Sequence, residues 1–215
     1  MDPEPRPKPE PVGPYTYAGY EPTLEVLTWP NPGLNSVATE VDFDHDNPEF
    51  IAAELMTILA NSKDGIGLAA TQIGIQKRAI AVRYPFRVEG AVYDLVGTVL
   101  VNPYIEAFSR ATTHRPEGCL SLPGVVESIT RPQTIELSYV DARTREVHEV
   151  EFSGMLARIV QHEVDHLEGM MLWDRLPPHR REEVIAGYLR GPAETVEESV
   201  QDKIARQRAK RMRRR

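Results

Sequence analysis

The stretch QHEVDHLEGMM, residues 161–171, constrains the fold of this chain more than any other feature of its sequence. His162 and His166 stand four residues apart, and Glu163 directly follows the first histidine. In an α-helix, residues four apart differ by about 40° around the axis, so both imidazoles would point the same way and could share one metal ion. Glu163 would lie about 100° from His162, where it is better placed to take a proton from water than to act as a ligand.

The two helical turns before this motif are apolar. Met155, Ile159, His162 and His166 fall along one strip of the predicted helix, which indicates that the histidines are buried. Buried imidazoles need polar partners, and a metal ion would satisfy both rings. The alternative is a pair of histidines on an amphipathic helix without a metal, because HExxH also occurs by chance.

A metal held by two histidines needs a third ligand. The downstream candidate, His179, follows two prolines in a predicted turn. Upstream, EGCLSLPG at residues 117–124 contains Cys119, the only cysteine of the chain. A thiolate at such a turn is a strong ligand for a divalent transition metal, whereas a free cysteine is more often a small buried hydrophobe. Spacing alone does not choose between these two interpretations.

A glycine-rich stretch, GIGLAATQIG at residues 65–74, does not fit the G-x-G-x-x-G pattern of dinucleotide-binding loops. If Gln72 faced the metal, its amide could donate a hydrogen bond to a developing oxyanion. The alternative is a tight turn with a solvated amide, and the residues of this stretch taken alone favour that alternative.

The remaining pattern predicts short strands between helices. A helix is expected from the Asn47 N-cap to a turn at residues 62–65, a second from Ser153 to Gly169, and a third that ends near Gly191. Stretches rich in β-branched residues predict strands at residues 77–84, 93–103, 133–141 and 146–154. We therefore expect an α+β fold in which antiparallel strands pack around a central helix that carries the HExDH motif.

The amino-acid composition divides the chain into three segments. Residues 1–22 form a proline-rich arm, residues 23–190 have the texture of a globular domain, and residues 191–215 form a basic tail that could be helical. Eight of the 25 basic residues lie in residues 203–215, which contain no acidic residue. Because the whole chain has a net charge of −7, the rest of the chain carries −15 (−15 + 8 = −7). A single cysteine, no apolar run of about 18 residues and no apolar signal segment predict a cytoplasmic protein without a membrane span.

Together, residues 65–72, 117–121 and 161–166 resemble the three motifs of the peptide deformylases. Those motifs are a glycine-rich G-x-G-L-A-A-x-Q, an E-G-C-L-S turn and Q-H-E-x-D-H on a helix. The resemblance extends over residues 23–188, with VLTWPNPGL near its start and MLWDRL after the helix, and it leaves out the arm and the tail.

The resemblance implies removal of the formyl group from the N-terminal formylmethionine of nascent polypeptides, with release of formate. It implies that the metal is bound by Cys119, His162 and His166, with water in the fourth position, and that Glu163 serves as general base and then as acid. The Gln72 amide and the Leu120 backbone N–H would stabilise the oxyanion. Similar enzymes use Fe²⁺ and also accept nickel, cobalt or, less actively, zinc.

A methionine side chain needs a narrow apolar slot beside the metal. Ile66, Met155 and Ile159 are our candidates for its walls, and the Gly67 backbone could pair with an extended peptide as a strand adds to a sheet edge. Around the site, we expect Glu117 to pair with Arg131 and brace the Cys119 turn.

Several alternatives stay open at this stage. Arg158 is expected to be solvated. The basic tail is either a disordered end or a segment that docks on ribosomal RNA, and a bacterial or phage source is favoured over an organelle. The competing functions are a metallopeptidase of the zincin type, which would not need Cys119, and a metal- or RNA-binding module without activity.

Overall fold

A computed structural model describes residues 20–88 and 91–191 of the chain, and the side chains of these residues outside 84–96. The described residues form two antiparallel β-sheets and three α-helices. The mixed class of helices and antiparallel strands predicted from the sequence is confirmed. The predicted arm and basic tail lie almost wholly outside the described residues.

The larger sheet has five strands in the order β1-β2-β3-β6-β7, and the smaller sheet pairs β4 with β5. β1 and β7 are therefore the edges of the larger sheet. The strands are β1 (Gly67–Ala69), β2 (Ala79–Val88), β3 (Ala91–Phe108), β4 (Thr112–Gly118), β5 (Val126–Pro132), β6 (Thr134–Asp141) and β7 (Val147–Ser153).

The three α-helices begin and end close to the residues predicted from their caps. Asn47 caps α1 (Pro48–Asn61) by accepting a hydrogen bond of 2.9 Å from the Phe50 N–H. α2 (Gly154–Leu167) carries the HExDH motif, and α3 (Pro178–Arg190) follows it. Gly169 adopts a φ of 71°, which favours glycine and stops α2 as expected. Within the described residues, no helix combines the length and apolar character needed to cross a bilayer.

The apolar face of α2 packs on the larger sheet, against side chains from β1, β2 and β6. The helix residues at this contact are Ala157, Val160, Val164 and Leu167. Full burial of a valine or leucine side chain stabilises a fold by about 1.5–3 kcal/mol. This packing fixes which way the opposite face of α2, with its two histidines, is directed.

Strands β1, β4 and β5 were not expected from the sequence. β4 has the sequence TTHRPEG and buries only Glu117 among its seven residues, so it lacks the alternating apolar pattern that marks a strand. The prediction of a turn at His179 is also wrong. His179 lies exposed in the first turn of α3, because proline at the first helical positions starts a helix there.

An N-terminal strap, residues 20–29, is tied to α1 through one buried carboxylate. Glu54 is fully buried and accepts hydrogen bonds from the Tyr20 hydroxyl (2.6 Å), the Thr23 N–H (2.9 Å) and the Leu24 N–H (3.0 Å). Burial alone would raise the pKa of Glu54, but these hydrogen bonds outweigh it and lower the pKa below its ordinary value.

Candidate metal centre

Cys119, His162 and His166 form a compact group in which the three ligand atoms lie within 4.8 Å of one another. The Sγ of Cys119 is 3.2 Å from the Nε2 of His166. Both histidines are buried, as the apolar strip on α2 predicted. The structure thus brings Cys119 together with two histidines that lie more than forty positions later in the sequence.

Local structure explains why Cys119 reaches the helix. β4 ends at Gly118, and the chain then turns sharply, with the Leu122 N–H donating to the Cys119 carbonyl at 3.0 Å. The two histidines are one helical turn apart on α2, with ring centroids 5.0 Å apart. One thiolate and two imidazoles form a donor set that suits zinc, iron, nickel or cobalt, so the residues present fit a divalent transition metal.

Glu117 lies directly behind His162. Its Oε2 is 3.0 Å from the Nδ1 of His162, a contact that orients the ring and leaves Nε2 as the nitrogen available to a metal. Burial by itself would raise the pKa of Glu117, but hydrogen bonds from His162 and Arg131 lower it to about 2. Glu117 is therefore a buried anion at neutral pH.

Arg131 neutralises this anion. Its Nε and Nη2 donate to the two carboxylate oxygens of Glu117 at 2.7 and 2.9 Å, so the predicted pairing of these residues is present. Its Nη1 donates to Asp165 at 2.8 Å, and Asp165 also accepts from Arg175. The carboxylate of Asp165 thereby ties α2 to the segment that follows it.

The expectation that Arg158 is solvated is wrong. Only 4% of Arg158 is exposed, and its guanidinium donates to Glu117, to the Ile129 carbonyl at 3.0 Å and to the Thr113 carbonyl at 2.7 Å. Arg158 therefore clamps α2 to β4 and β5. Sequence spacing gave no sign of this, because every partner is distant in the chain and a guanidinium is buried only where partners surround it.

The Gln72 amide is not solvated either, which corrects the interpretation of its stretch as a simple turn. Gln72 is 1% exposed, because β1 and the short 3-10 helix Ala70–Ile73 direct its side chain inward. Its Oε1 accepts from the Ala69 N–H at 2.8 Å. Its Nε2 donates to the Ser121 hydroxyl at 3.1 Å and, over a longer 3.6 Å, to the Sγ of Cys119.

Glu163 combines deep burial with a pKa near neutrality. Burial is the main cause that raises its pKa to about 7, although His162 and Arg131 act in the opposite direction. Its Oε2 has no hydrogen-bond partner among the described residues. Close approach to β1 is possible because residue 67 is glycine, since a Cβ there would stand 2.2 Å from Glu163 Oε1.

A cavity of about 550 Å³ opens beside these groups. Ile66, Gly67, Met155 and Ile159, which were predicted to bind substrate, all contribute to its lining, as does Leu120. Sequence reasoning missed further apolar wall residues from the turn after Cys119, namely Leu122, Pro123, Val125 and Val126. Their proximity in sequence to the EGCLS turn was the one signal that could have indicated them.

Comparison with known proteins agrees with this geometry. Residues 23–182 match the sequence model of the family described as polypeptide deformylase. The chain belongs to the polypeptide deformylase family. Members of this family remove the N-terminal formyl group from nascent polypeptides, and the family is one of metalloenzymes.

Similar deformylases come from bacteria and from plant organelles. A peptide deformylase of Maricaulis maris is 38% identical over 162 residues, which cover 75% of this chain and 89% of that protein. A chloroplastic peptide deformylase of rice is 33% identical over 157 residues, which cover 73% of this chain but only 56% of the longer rice protein.

Solved deformylase structures share the fold. The Ehrlichia chaffeensis enzyme in complex with actinonin superposes with a TM-score of 0.69 at 29% identity, over 79% of this chain and 98% of that one. The Acinetobacter baumannii enzyme bound to Met-Ala-Ser gives a TM-score of 0.63 at 32% identity, over 71% of this chain and 98% of that one.

Proposed function

We propose that this chain hydrolyses the formyl amide of N-terminal formylmethionine on nascent polypeptides, with one divalent metal held by Cys119, His162 and His166. The observation that carries the proposal is the grouping of these three side chains beside a cavity that Cys119 and His162 line together with Glu163 and Gln72. The family supplies the reaction, and the arrangement of this chain's own residues supports each role.

A divalent metal held by these ligands supplies Lewis acidity, which activates water and polarises the formyl carbonyl. We propose Fe²⁺ as the metal in the cell, with nickel, cobalt or zinc accepted by purified protein. Glu117 supports this site by holding the His162 ring in the orientation that presents Nε2. We also propose that α2 is the central element of the catalytic domain, residues 23–190, because it supplies both histidines and the general base.

Glu163 moves the proton. A carboxylate with a pKa near neutrality can take a proton from the attacking water and later give it to the departing amine nitrogen, because both transfers are then close to balanced. Its burial excludes competing solvent from these transfers.

Two N–H groups would stabilise the charge that develops on the carbonyl oxygen. The Gln72 amide faces the Cys119 side of the cavity, and Leu120 lies in the cavity wall directly after the thiol. Such donors act mainly in the transition state, where the oxygen carries negative charge.

Substrate binding uses an apolar slot and a free strand edge. Ile66, Met155 and Ile159 line the cavity and provide apolar contacts for an unbranched methionine side chain. Among the described strands, β1 pairs with β2 alone, so its other edge, which includes Gly67, can accept an extended peptide. Main-chain pairing of this kind suits an enzyme that processes many sequences.

Formate release from a formyl-Met-Ala-Ser peptide tests the proposal. We expect the iron- and nickel-loaded protein to release formate, and Glu163→Gln to keep its metal while kcat falls by about 10²–10⁴ or more. Glu149→Gln, on the exposed edge strand β7, is the matched control and should retain full activity. Turnover by Glu163→Gln at the rate of the parent protein would refute this role.

Cys119→Ala separates deformylase from metallopeptidase chemistry. Because the Sγ of Cys119 is 3.2 Å from His166 Nε2, we expect this variant to lose its metal. A zincin-type peptidase would keep the metal without the thiol, and it would cleave an unformylated internal peptide bond.

We propose that the basic tail, residues 191–215, docks the enzyme on ribosomal RNA, where formylated chains emerge, and that the enzyme acts in the bacterial cytoplasm. Eight basic residues support binding to a polyanion, and such binding weakens steeply with salt. Ribosome co-sedimentation at low salt should fall when residues 192–215 are deleted, and unchanged co-sedimentation would refute docking.

A further inference from the structure

Ser121 has a buried hydroxyl beside the site, and this hydroxyl takes no part in the proposed reaction. It is 0% exposed, and its Oγ accepts a hydrogen bond of 3.1 Å from the Nε2 of Gln72. The other end of the same amide accepts the Ala69 N–H at 2.8 Å. The amide is thus held at both ends, and the Ala69 contact determines which end carries the oxygen.

The backbones of Ser121 and Gln72 are held by the same short segment. The Leu27 N–H donates to the Gln72 carbonyl at 2.7 Å, and the Trp29 N–H donates to the Ser121 carbonyl at 3.0 Å. Both donors belong to the N-terminal strap, two residues apart. These two hydrogen bonds fix the backbones of Ser121 and Gln72 relative to each other, and this holds their side chains in contact.

The two N–H groups of the Gln72 amide have different acceptors. Gln72 has two N–H groups on Nε2, and the Ser121 hydroxyl takes one of them. The second is directed to the Sγ of Cys119 over 3.6 Å, a long contact to a weak acceptor. An oxygen with developing negative charge is a stronger acceptor than this sulfur, so it can take over the same N–H at little cost.

We propose that Ser121 is a positioning residue for the oxyanion donor. Its hydroxyl holds the Gln72 amide so that one N–H stays directed into the cavity, ready for the carbonyl oxygen in the transition state. The inference rests on the proposed function. Without the hydroxyl, the amide gains rotational freedom, and the reaction loses stabilisation in the transition state more than it loses binding of the ground state.

A double-mutant cycle tests the proposal in nickel-loaded protein with a formyl-Met-Ala-Ser peptide. Removal of an oxyanion donor costs about 10²–10³ in kcat, so we expect Ser121→Ala to lower kcat by about 10–100-fold with KM changed less than about threefold. In a Gln72→Ala background, the same change should lower kcat by less than about twofold, because the donor that Ser121 positions is already absent. Ser121→Cys, which fills the space but accepts hydrogen bonds weakly, should fall between serine and alanine.

Equal losses of kcat in both backgrounds would overturn the proposal, because a merely structural role of Ser121 does not depend on Gln72. Loss of bound nickel from Ser121→Ala would also overturn it, since Ser121 would then support the Cys119 turn. The Gln72 carboxamide proton signals, assigned by their loss in Gln72→Ala, give a readout without turnover. They should exchange slowly with solvent in the parent protein and quickly in Ser121→Ala, and equal exchange would contradict the proposal. Absence of formate release by the parent protein would refute the proposed function, whereas these signals report on Ser121 alone.

Discussion

Glu117 on β4 and His162 on α2 form a contact that joins the strand to the helix. A carboxylate oxygen of Glu117 lies 3.0 Å from the Nδ1 of His162. The carboxylate is an anion, because hydrogen bonds from His162 and Arg131 keep its pKa at about 2 despite burial. A negative charge behind an imidazole orients the ring and strengthens the opposite nitrogen as a ligand.

Glu117→Gln should therefore weaken metal binding by about 10–100-fold, the range typical for loss of a group behind a metal ligand. Competition between the protein and a chelator of known nickel affinity measures this change. Glu149→Gln removes an exposed carboxylate of the same size from β7 and should leave nickel affinity unchanged. If both variants bound nickel as the parent protein does, Glu117 would have no role in metal binding.

Arg158→Met should destabilise the fold, because it leaves the buried charge of Glu117 with one cation fewer and removes the Arg158 hydrogen bonds to the carbonyls of Thr113 and Ile129. Breaking a buried ion pair from one side costs about 3–5 kcal/mol, and because Glu117 keeps its contact with Arg131 we expect a loss of about 3 kcal/mol. Urea unfolding measures the change. Arg180→Met, at a half-exposed pair with Glu127, should cost less than about 1 kcal/mol, and equal effects of the two variants would contradict the assignment.

The ends of α1 and α2 and the face of α2 that carries the histidines were predictable from sequence because their signals are local. The Asn47 cap and Gly169 stop mark helix ends through hydrogen bonds and backbone angles within a few residues. The strip of Met155, Ile159, His162 and His166 likewise follows from the helical period alone. The pattern of one helix was enough to predict the buried face that carries both histidines.

The partners of that face were harder to predict because they depend on tertiary contacts. Arg158 and Glu117 are 41 residues apart, and no spacing rule connects them. Gln72 is buried because a short strand and a 3-10 helix direct it toward Ser121, 49 residues away. The resemblance of three motifs to one family indicated the meeting of Cys119 with α2, whereas the residues alone left it open.

Glu54→Gln should loosen the N-terminal strap from α1 in a pH-dependent manner. The folded-state pKa of Glu54 lies below its ordinary value of 4.5, so the carboxylate stabilises the fold fully above about that pH and progressively less as pH falls below it. At pH 7 we expect a loss of about 1–3 kcal/mol from the mismatch between an amide and buried donors.

Thermal unfolding of the Glu54→Gln variant and the parent protein at pH 7 and at pH 3.5 measures this dependence. The difference in Tm should be large at pH 7 and should shrink at the lower pH. Glu49→Gln, in the exposed first turn of the same helix, is the control and should have little effect at either pH. A Tm difference for Glu54→Gln that stayed constant with pH would show that the carboxylate charge is not the stabilising feature.

Gly67→Ala should impair catalysis through Glu163 without displacing the metal. A Cβ at residue 67 would stand 2.2 Å from Oε1 and 2.8 Å from Cδ of Glu163, distances at which the carboxyl group must move. Glu163 is buried, so it has little space in which to shift and still face the cavity. Because a small misplacement of a catalytic group can cost about 10²-fold, we expect kcat to fall by about that factor while bound nickel stays at the parent level.

Gly187→Ala provides the matched control on α3. An added Cβ there would meet only the end of the Arg190 side chain at 3.8 Å, an ordinary contact distance. Alanine is favoured over glycine in a helix by about 1 kcal/mol, so this variant should be slightly more stable and fully active. Parallel kinetic and metal analyses compare the two variants. Full activity in Gly67→Ala would mean that β1 can move away from α2, and that the glycine is not needed for the position of Glu163, the proposed general base.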